Sequence, residues 1–336
     1  MLGHGLLTRA WTGARIAAAL AAALLPHAGA GAAQPAAAGY PERPIRVIVP
    51  FAAGSSTDIT ARRLTARMAA TLGQSLVVEN RPGAVGQIGA AMTAQAAPDG
   101  YTVMLTAVSS QSLAAALKPK SLPYDPIKDF TPIGRIFTTT NFVVVNPKVP
   151  ANSLRELMAY SKTVPGGLSF GSGGQGSSNH LAGEALKLAG ANVVHVPYNN
   201  VTQAITDLLA GQIPMMIYTA ALVPYIKDGR IKALAVTSPK RHPLAPEVPT
   251  VVEQGVPSAV VQGWSGLLGP AGLPAAIRDR LFGALREAMA DPGIVKSYTA
   301  DGQENGLMDP AEFQAFLQRD LKMWKDIVAR SDIPTD

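Results

Sequence analysis

The chain contains no cysteine. That absence removes disulfides, thiolate zinc sites and thiol catalysis together, and with them a lipidated cysteine as a membrane anchor. Charge is also sparse: Asp, Glu, Lys and Arg make up 15% of the 336 residues. The formal net charge of +6 is spread thinly, and the densest basic stretch is Lys240-Arg241-His242 with Lys232 nearby. Nucleic-acid binders carry a basic stripe, so that class is set aside. His180, His195 and His242 show no HExxH or other ligand spacing, and Gly263-Trp264-Ser265-Gly266 lacks the form of a nucleophile elbow. Hydrolytic chemistry therefore has no visible seat. What is plentiful is apolar: 47% of the residues are hydrophobic, enough for a large core, and the length accommodates two domains of ordinary size.

The longest apolar run lies near the start. Arg9 and Arg15 give a basic opening without an acid, residues 16–25 are uninterruptedly apolar, and Pro26 ends the run. Small residues follow, with Ala28-Gly29-Ala30 or Gly31-Ala32-Ala33 as cleavage sites. This order reads as a Sec-type signal peptide over residues 1–33. A span across a bilayer needs about 20 residues, so the run is a leader rather than an anchor. The expectation is a soluble protein exported to the periplasm. Residues 34–39 read as a linker, and the folded part begins at Tyr40-Pro41.

From there, strand and helix patterns alternate. Strands over 45–49, 76–79 and 102–107 are separated by helices over 56–71 and 87–96. A second series places strands at 142–145, 168–171, 193–196, 215–218 and 234–236, with helices at 153–161, 177–189, 201–210 and 222–227. Such alternation implies right-handed crossovers and mainly parallel sheets flanked by helices, here in two α/β units without a visible sequence repeat. The apolar run 260–268 follows the Pro-rich stretch 243–257 and reads as the return to the first unit. Trp264 then lies near the crossing, as core or as ligand contact. The C-terminal part is expected to be helical. Its last helix is announced by Asp309 as N-cap, Pro310 at the first position and Glu312 completing a capping box. Phe313, Phe316, Leu317, Leu321, Trp324, Ile327 and Val328 fall on one face, which is expected to pack on a sheet.

Three loops at strand ends carry the candidate chemistry. The first, Phe51-Ala52-Ala53-Gly54-Ser55-Ser56-Thr57-Asp58, follows a strand and opens a helix. The carboxyl end of a parallel strand is where open α/β sheets bind ligands. Helix N-termini offer unpaired N–H groups and a partial positive charge of about half an electron. Gly54 permits close approach, Ser55, Ser56 and Thr57 add hydroxyls, and the set suits an anion. Ser55 with Asp58 also reads as a plain capping box. The second loop, Ser172-Gly173-Gly174-Gln175-Gly176-Ser177, has the same placement in the second unit. Gly171, Gly173 and Gly176 match G-x-G-x-x-G, but a dinucleotide site needs an acid about 20 residues on. The chain there reads Val193-Val194-His195-Val196-Pro197-Tyr198, so NAD and other cofactors are not expected. The third loop is Pro197-Tyr198-Asn199-Asn200, where Tyr198 can cover a ligand and donate a hydrogen bond. His180 is read as helix surface and His195 as a strand residue.

These segments together resemble the Bug (Bordetella uptake) family, the extracytoplasmic solute receptors of tripartite tricarboxylate transporters. The resemblance rests on Tyr40-Pro41 with Pro44-Ile45-Arg46, on Val49-Pro50-Phe51-Ala52-Ala53-Gly54 with Asp58, and on Val78-Glu79-Asn80-Arg81-Pro82-Gly83-Ala84. It continues through Pro98-Asp99-Gly100-Tyr101, Val196-Pro197-Tyr198, Leu234-Ala235-Val236-Thr237-Ser238 and Val248-Pro249-Thr250 with Glu253 and Gly255. It ends with Gly269-Pro270-Ala271-Gly272 and the helix over 309–324. The resemblance implies a two-lobed periplasmic binding protein fold of type II, with hinge crossings near 137–144 and 260–269. The lobes would divide as 34–140, 141–261 and 262–336, the last rejoining the first. It implies a ligand carboxylate gripped by the Gly54–Asp58 and 171–178 loops, partly through water, and delivery to integral membrane transporter subunits. Where the family usually has Lys-Gly after Pro-Tyr, this chain has Asn199-Asn200. It has Ser55 where a second glycine often stands, and Val85-Gly86-Gln87 after Ala84 in place of Gly-Gly. These departures bear on which acid is bound.

The sequence thus reads as a receptor, expected as a monomer, for a di- or tricarboxylate, an aromatic carboxylate or an acidic amino acid. Phe51 and Tyr198 would shape the site, while Ser56, Thr57, Ser172, Gly174 and Ser177 supply donors. The alternatives are a ligand-binding co-receptor for a two-component sensor and, further off, a secreted enzyme or a dinucleotide-binding protein.

Overall fold

In the computed structural model the described residues are 39–331 without Asn199, together with Ile333 and Thr335. The expected leader over 1–33 lies outside them. The chain first lays down β1 (Ile45–Val49), α1 (Ser56–Leu72), β2 (Leu76–Asn80), α2 (Gln87–Ala94), β3 (Thr102–Ala107), α3 (Ala114–Leu117) and β4 (Phe130–Thr140). It continues through β5 (Phe142–Val145), α4 (Leu154–Ser161), β6 (Leu168–Ser172), α5 (Ser178–Leu188), β7 (Val193–Pro197), α6 (Val201–Ala210), β8 (Met215–Tyr218), α7 (Val223–Lys227) and β9 (Lys232–Val236). It ends with β10 (Gln262–Pro270), α8 (Ala275–Ala290), α9 (Pro292–Ala300), β11 (Gln303–Met308) and α10 (Pro310–Ala329).

The strands form two sheets, ordered β2-β1-β3-β10-β4-β11 and β7-β6-β8-β5-β9. Apart from the extra edge strand β11, the two orders correspond strand for strand, although no sequence repeat is visible. In both, the first three strands are parallel and the rest antiparallel. The sheets are therefore mixed, where mainly parallel ones were expected. The antiparallel half exists because β4 carries the chain out of the first sheet and β10 brings it back beside β4. The reading of the C-terminal part as wholly helical needs correcting too. It contains β11, whose Asn305-Gly306 reads locally as a turn but which pairs with β4 along the sheet edge.

Burial follows the alternating pattern. β1 hides Ile45, Val47, Ile48 and Val49 completely, as a strand covered on both faces must. α1 starts on Ser55, whose side chain accepts the Asp58 N–H, and stops at Gly73, a left-handed cap whose N–H reaches Ala69 O. α10 has the capping box read from Asp309 and Glu312 and packs on β4 of the first sheet. Trp324 and Phe313 are fully buried there; side chains of this size each contribute roughly 1.5–3 kcal/mol by burial. Trp264 is core: its ring meets Phe313 and Phe316 edge-on at 5.5 and 5.7 Å, and its Nε1 donates to Asp320 at 2.9 Å.

Only Asn141 separates β4 from β5, and it is completely buried. Its N–H donates to Thr237 Oγ1 and its carbonyl accepts the Thr237 N–H. Its Nδ2 donates to Val261 O at 3.1 Å, while Val261 N–H donates to Thr237 O. Both crossings between the sheets are thus stitched at one level. Asn179 Nδ2 of α5 adds a bond of 2.6 Å to Asn141 Oδ1.

Candidate ligand-binding site

The loops after β1 and β6 are built alike. Each ends in a glycine with positive φ, Gly54 at 79° and Gly176 at 72°, followed by the N-cap serines Ser55 and Ser177. Each serine Oγ accepts the N–H three residues on, from Asp58 at 3.3 Å and from His180 at 3.2 Å. In each, the side chain of that third residue turns back and accepts the glycine N–H. Asp58 Oδ2 does so at 2.8 Å and His180 Nδ1 at 3.1 Å. The N–H groups at the first two helical positions, Ser56 and Thr57 in α1 and Ser178 and Asn179 in α5, have no intrahelical acceptor, as at every helix start. Two N–H pairs backed by helix dipoles are what an anion needs.

The first loop is held from beneath. Asn80 Nδ2, at the end of β2, donates to Phe51 O at 3.1 Å and Asp58 Oδ1 at 2.9 Å, and Arg62 Nε reaches Asp58 Oδ2 at 3.1 Å. Burial raises the Asp58 carboxyl, but the bonds from Arg62, Gly54 and Asn80 outweigh it and hold it below the ordinary range. Asp58 is thus a buried, ionised brace of the loop rather than a group facing a ligand. Gly54 is exposed, Ser55 and Phe51 are half-buried, and Thr57 is buried. Asn80 was not foreseen as part of the site. Its signal was its place at the end of a strand whose register sets Val49 opposite Asn80.

The second loop rests on a buried cluster. Ser172 is fully buried; its Oγ accepts the Gly174 N–H at 3.1 Å and meets His195 Nε2 at 2.6 Å. The His195 ring stacks on His180 at 3.8 Å between centroids. His180, read from the sequence as helix surface, is in fact buried, and Glu184 Oε1 lies 3.8 Å from its Nε2. Burial lowers both imidazoles to about 4, helped for His180 by its neighbour His195, so both are neutral near pH 7. Neutrality is what lets His180 Nδ1 act as acceptor for Gly176. The Ser177 hydroxyl donates to Gly174 O at 2.7 Å. Gly173 and Gln175 are exposed and Gly174 half-buried.

Pro197 is exposed and Tyr198 half-buried, while Asn199 lies outside the described residues. The Tyr198 hydroxyl, expected to serve a ligand, donates to Asp207 at 2.9 Å. Burial and Asp207 push it up to about 12. Tyr198→Phe is therefore expected to cost about 1 kcal/mol of stability and to leave ligand affinity within about threefold. Calorimetric titration beside urea unfolding measures both, and an affinity collapse would show that the hydroxyl turns to the ligand.

A third segment joins this edge of the first sheet. Ala84 and Val85 both adopt positive φ, 47° and 57°, unusual for any side chain and most of all a β-branched one. A Cβ on Gly86 would lie 2.7 Å from Ser110 Cβ and 3.3 Å from Pro50 O, so this loop is pressed between the ends of β1 and β3. Val85 is exposed. Val85→Gly should relieve a strain of about 1–2 kcal/mol, partly offset by glycine's entropy of about 0.5–1 kcal/mol. A small rise in melting temperature is expected, and a fall would show that Val85 makes a contact worth more than its strain.

The two halves of the site touch through α5. A Cβ on Gly176 would lie 2.9 Å from Leu117 Cδ1, and one on Gly263 would lie 3.6 Å from Ser178 Oγ. The second loop thus borders segments that belong to the first sheet.

Comparison with known proteins agrees with this architecture. The family model described as tripartite tricarboxylate transporter family receptor (TctC) matches residues 60–333. Protein BugT of Bordetella pertussis is 36% identical over 303 residues, covering 89% of this chain and 93% of its own. MatC of Rhodopseudomonas palustris, solved with malate, is 32% identical with a TM-score of 0.70, covering 86% of this chain and 100% of its own. Another R. palustris protein, solved with adipate, is 30% identical with a TM-score of 0.72, covering 88% and 100%. The chain belongs to the TctC family of tripartite tricarboxylate transporter receptors, the Bug-type periplasmic solute-binding proteins.

Proposed function

We propose that this protein captures one small organic acid between two lobes and hands it to integral membrane transporter subunits. The observation that carries this reading is the matched pair of helix N-termini, each with two N–H groups free of intrahelical partners and each braced by its own side chains. Relatives solved with malate and adipate support an aliphatic dicarboxylate within the wider class of di- and tricarboxylates, aromatic carboxylates and acidic amino acids. Ser56 and Thr57 offer donors from one lobe, and Ser178 and Asn179 at the start of α5 from the other. Ser172 and Ser177 act on the loop that presents them. Lobe limits of 34–140, 141–261 and 262–336 accord with the change of sheet between Thr140 and Phe142 and between Val236 and Gln262. The leader over 1–33 would take the chain to the periplasm, where it acts as a monomeric receptor without catalysis, cofactor or nucleic acid. Closure follows because a ligand touching both loops binds the closed state best.

A thermal-shift panel on the chain from Gln34 onward tests this. A ligand at 100 times its dissociation constant adds about 2.7 kcal/mol of stability, a shift of several degrees. A rise with one group of carboxylates is expected. No rise with any of them, or a rise with NAD alone, would overturn the reading.

A further inference from the structure

Two polar side chains stand beside the second loop without a task in holding it. Gly173 makes room for them: a Cβ there would lie 3.1 Å from Asn179 Oδ1 and 3.1 Å from Tyr218 Cε2. Asn179 is the second residue of α5, so its side chain accompanies the Ser178 and Asn179 N–H groups that lack intrahelical acceptors. Tyr218 is the last residue of β8, which runs parallel to β6 in the same sheet. Its ring therefore reaches the loop from the neighbouring strand. Across the sheet it pairs with Phe142, the residue that follows Asn141.

The orientation of the Asn179 amide follows from its partners. Val261 O can only accept, so Asn141 gives it Nδ2 and leaves Oδ1 for Asn179. Asn179 must meet that oxygen with its own Nδ2, which turns its Oδ1 towards Gly173. Only 5% of Asn179 is exposed, yet Oδ1 accepts no hydrogen bond from the described residues. The hydroxyl of the half-buried Tyr218 likewise has no partner among them. Both atoms keep accessible surface, unlike sealed atoms such as Tyr298 Oη and Gln303 Oε1. Burial raises the Tyr218 hydroxyl above its ordinary range, so it holds a proton to give. An amide oxygen and a carboxylate both only accept, so a bare carboxylate at the start of α5 leaves Asn179 Oδ1 unmet. A donor has to come with it. The nearby acids are engaged: Asp207 accepts from Tyr198 and Gln203, and Glu184 lies against His180. Neutral acceptors do not balance an ammonium charge, whereas a hydroxyl needs only one acceptor and can take one donor.

We propose that Asn179 and Tyr218 select a 2-hydroxy acid, an inference that rests on reading the start of α5 as a carboxylate site. The ligand carboxylate takes the Ser178 and Asn179 N–H groups. Its hydroxyl donates to Asn179 Oδ1 and accepts from Tyr218 Oη. Because Asn179 supplies both an N–H for the carboxylate and the acceptor for the hydroxyl, the hydroxyl belongs on the carbon next to the carboxylate. An acid without it strands a buried acceptor, and sites built to bond a hydroxyl discriminate strongly against the analogue that lacks one.

Calorimetric titration of the chain from Gln34 onward, with the pair of acids built on the skeleton that the thermal panel selects, tests this. The pairs are malate against succinate, citrate against tricarballylate, and mandelate against phenylacetate, each chiral acid in both hands. The hydroxy acid, in its better hand, is expected to bind at least about tenfold tighter than its partner. Aspartate is expected to bind no tighter than succinate. Tyr218→Phe should weaken the hydroxy acid by about tenfold and the unsubstituted acid by less than about threefold; a merely structural role would weaken both alike. Should the variant unfold, the paired titrations on the unaltered protein still decide. Equal affinities within the pair, or aspartate binding tighter than malate, would overturn the hydroxyl selection and leave the receptor reading standing. Binding of no carboxylate at all would remove the receptor reading, and this inference with it.

Discussion

Gly54→Asp is expected to lower carboxylate affinity at least a hundredfold while the protein stays folded. A Cβ at Gly54 meets nothing within 4 Å, so the substitution adds no clash. The φ of 79° costs a side chain about 1–2 kcal/mol, less for aspartate than for most residues. The damage lies in charge. A new carboxylate one residue before the N-cap competes for the Ser56 and Thr57 N–H groups and repels an incoming acid. It also stands beside Asp58, whose Oδ2 already takes the Gly54 N–H. A hundredfold corresponds to about 2.7 kcal/mol, within reach of one like-charge contact near a low-dielectric loop. Gly54→Ala has the same backbone strain without the charge and should lose less than about tenfold. Calorimetric titration of both variants decides the matter. Unchanged affinity in Gly54→Asp would remove the first loop from the site, and equal losses in both would make backbone conformation the cause.

Stability should fall steeply between pH 6.5 and 4. His180 and His195 take up protons near 6.5 when unfolded but only near 4 when folded. Across that window the unfolded chain holds more protons, and stability drops as pH falls. Asp320 works in the opposite sense. Burial pushes its carboxyl up to about 6, against hydrogen bonds led by Ser112 and Trp264, so between pH 6 and 3.8 the folded state holds the extra proton and gains. Two histidines against one aspartate leave a net loss by pH 4, moderated by the partial exposure of His195. Carboxylate affinity should hold through that window and decline only near pH 4, where His180 of the folded protein takes up its proton and can no longer accept the Gly176 N–H. Urea unfolding at pH 7, 5.5 and 4 reads the first effect. Asp320→Asn, which removes the compensating group, should steepen the fall. A flat profile would mean that the histidines are not held neutral.

How far the sequence reveals all this differs from element to element. β1, β3, β5 and β8 are legible to the residue, because short Val-, Ile- or Met-rich runs are bounded by turn signals. β4 is not: Pro132, Gly134, Arg135 and three consecutive threonines hide an eleven-residue strand, and its pairing with β10 shifts register twice. The capping serines of both loops can be read from local spacing. The glycine N–H bonds to Asp58 and His180 cannot, since they depend on how the loop folds back. His180 was misplaced because α5 buries eight consecutive residues, from Asn179 to Leu186. A helix covered on nearly every side loses the periodicity that marks a surface face. The Tyr198 hydroxyl went to a residue nine positions on, a partner fixed by the packing of α6 on the sheet and by no pattern in the loop.

Asn141 has a mechanical consequence. It ties both crossings to one another and, through Asn179, to the start of the helix that forms one jaw. The second lobe thus carries the hinge pin with it, as a door leaf does. Bending has to occur on the other side of the pin, in the paired ribbon of Thr139-Thr140 and Gln262-Gly263. A spectroscopic ruler from Gly54 to Gly190 would shorten on closure, whereas one from Asn141 to Gly190 would keep its length.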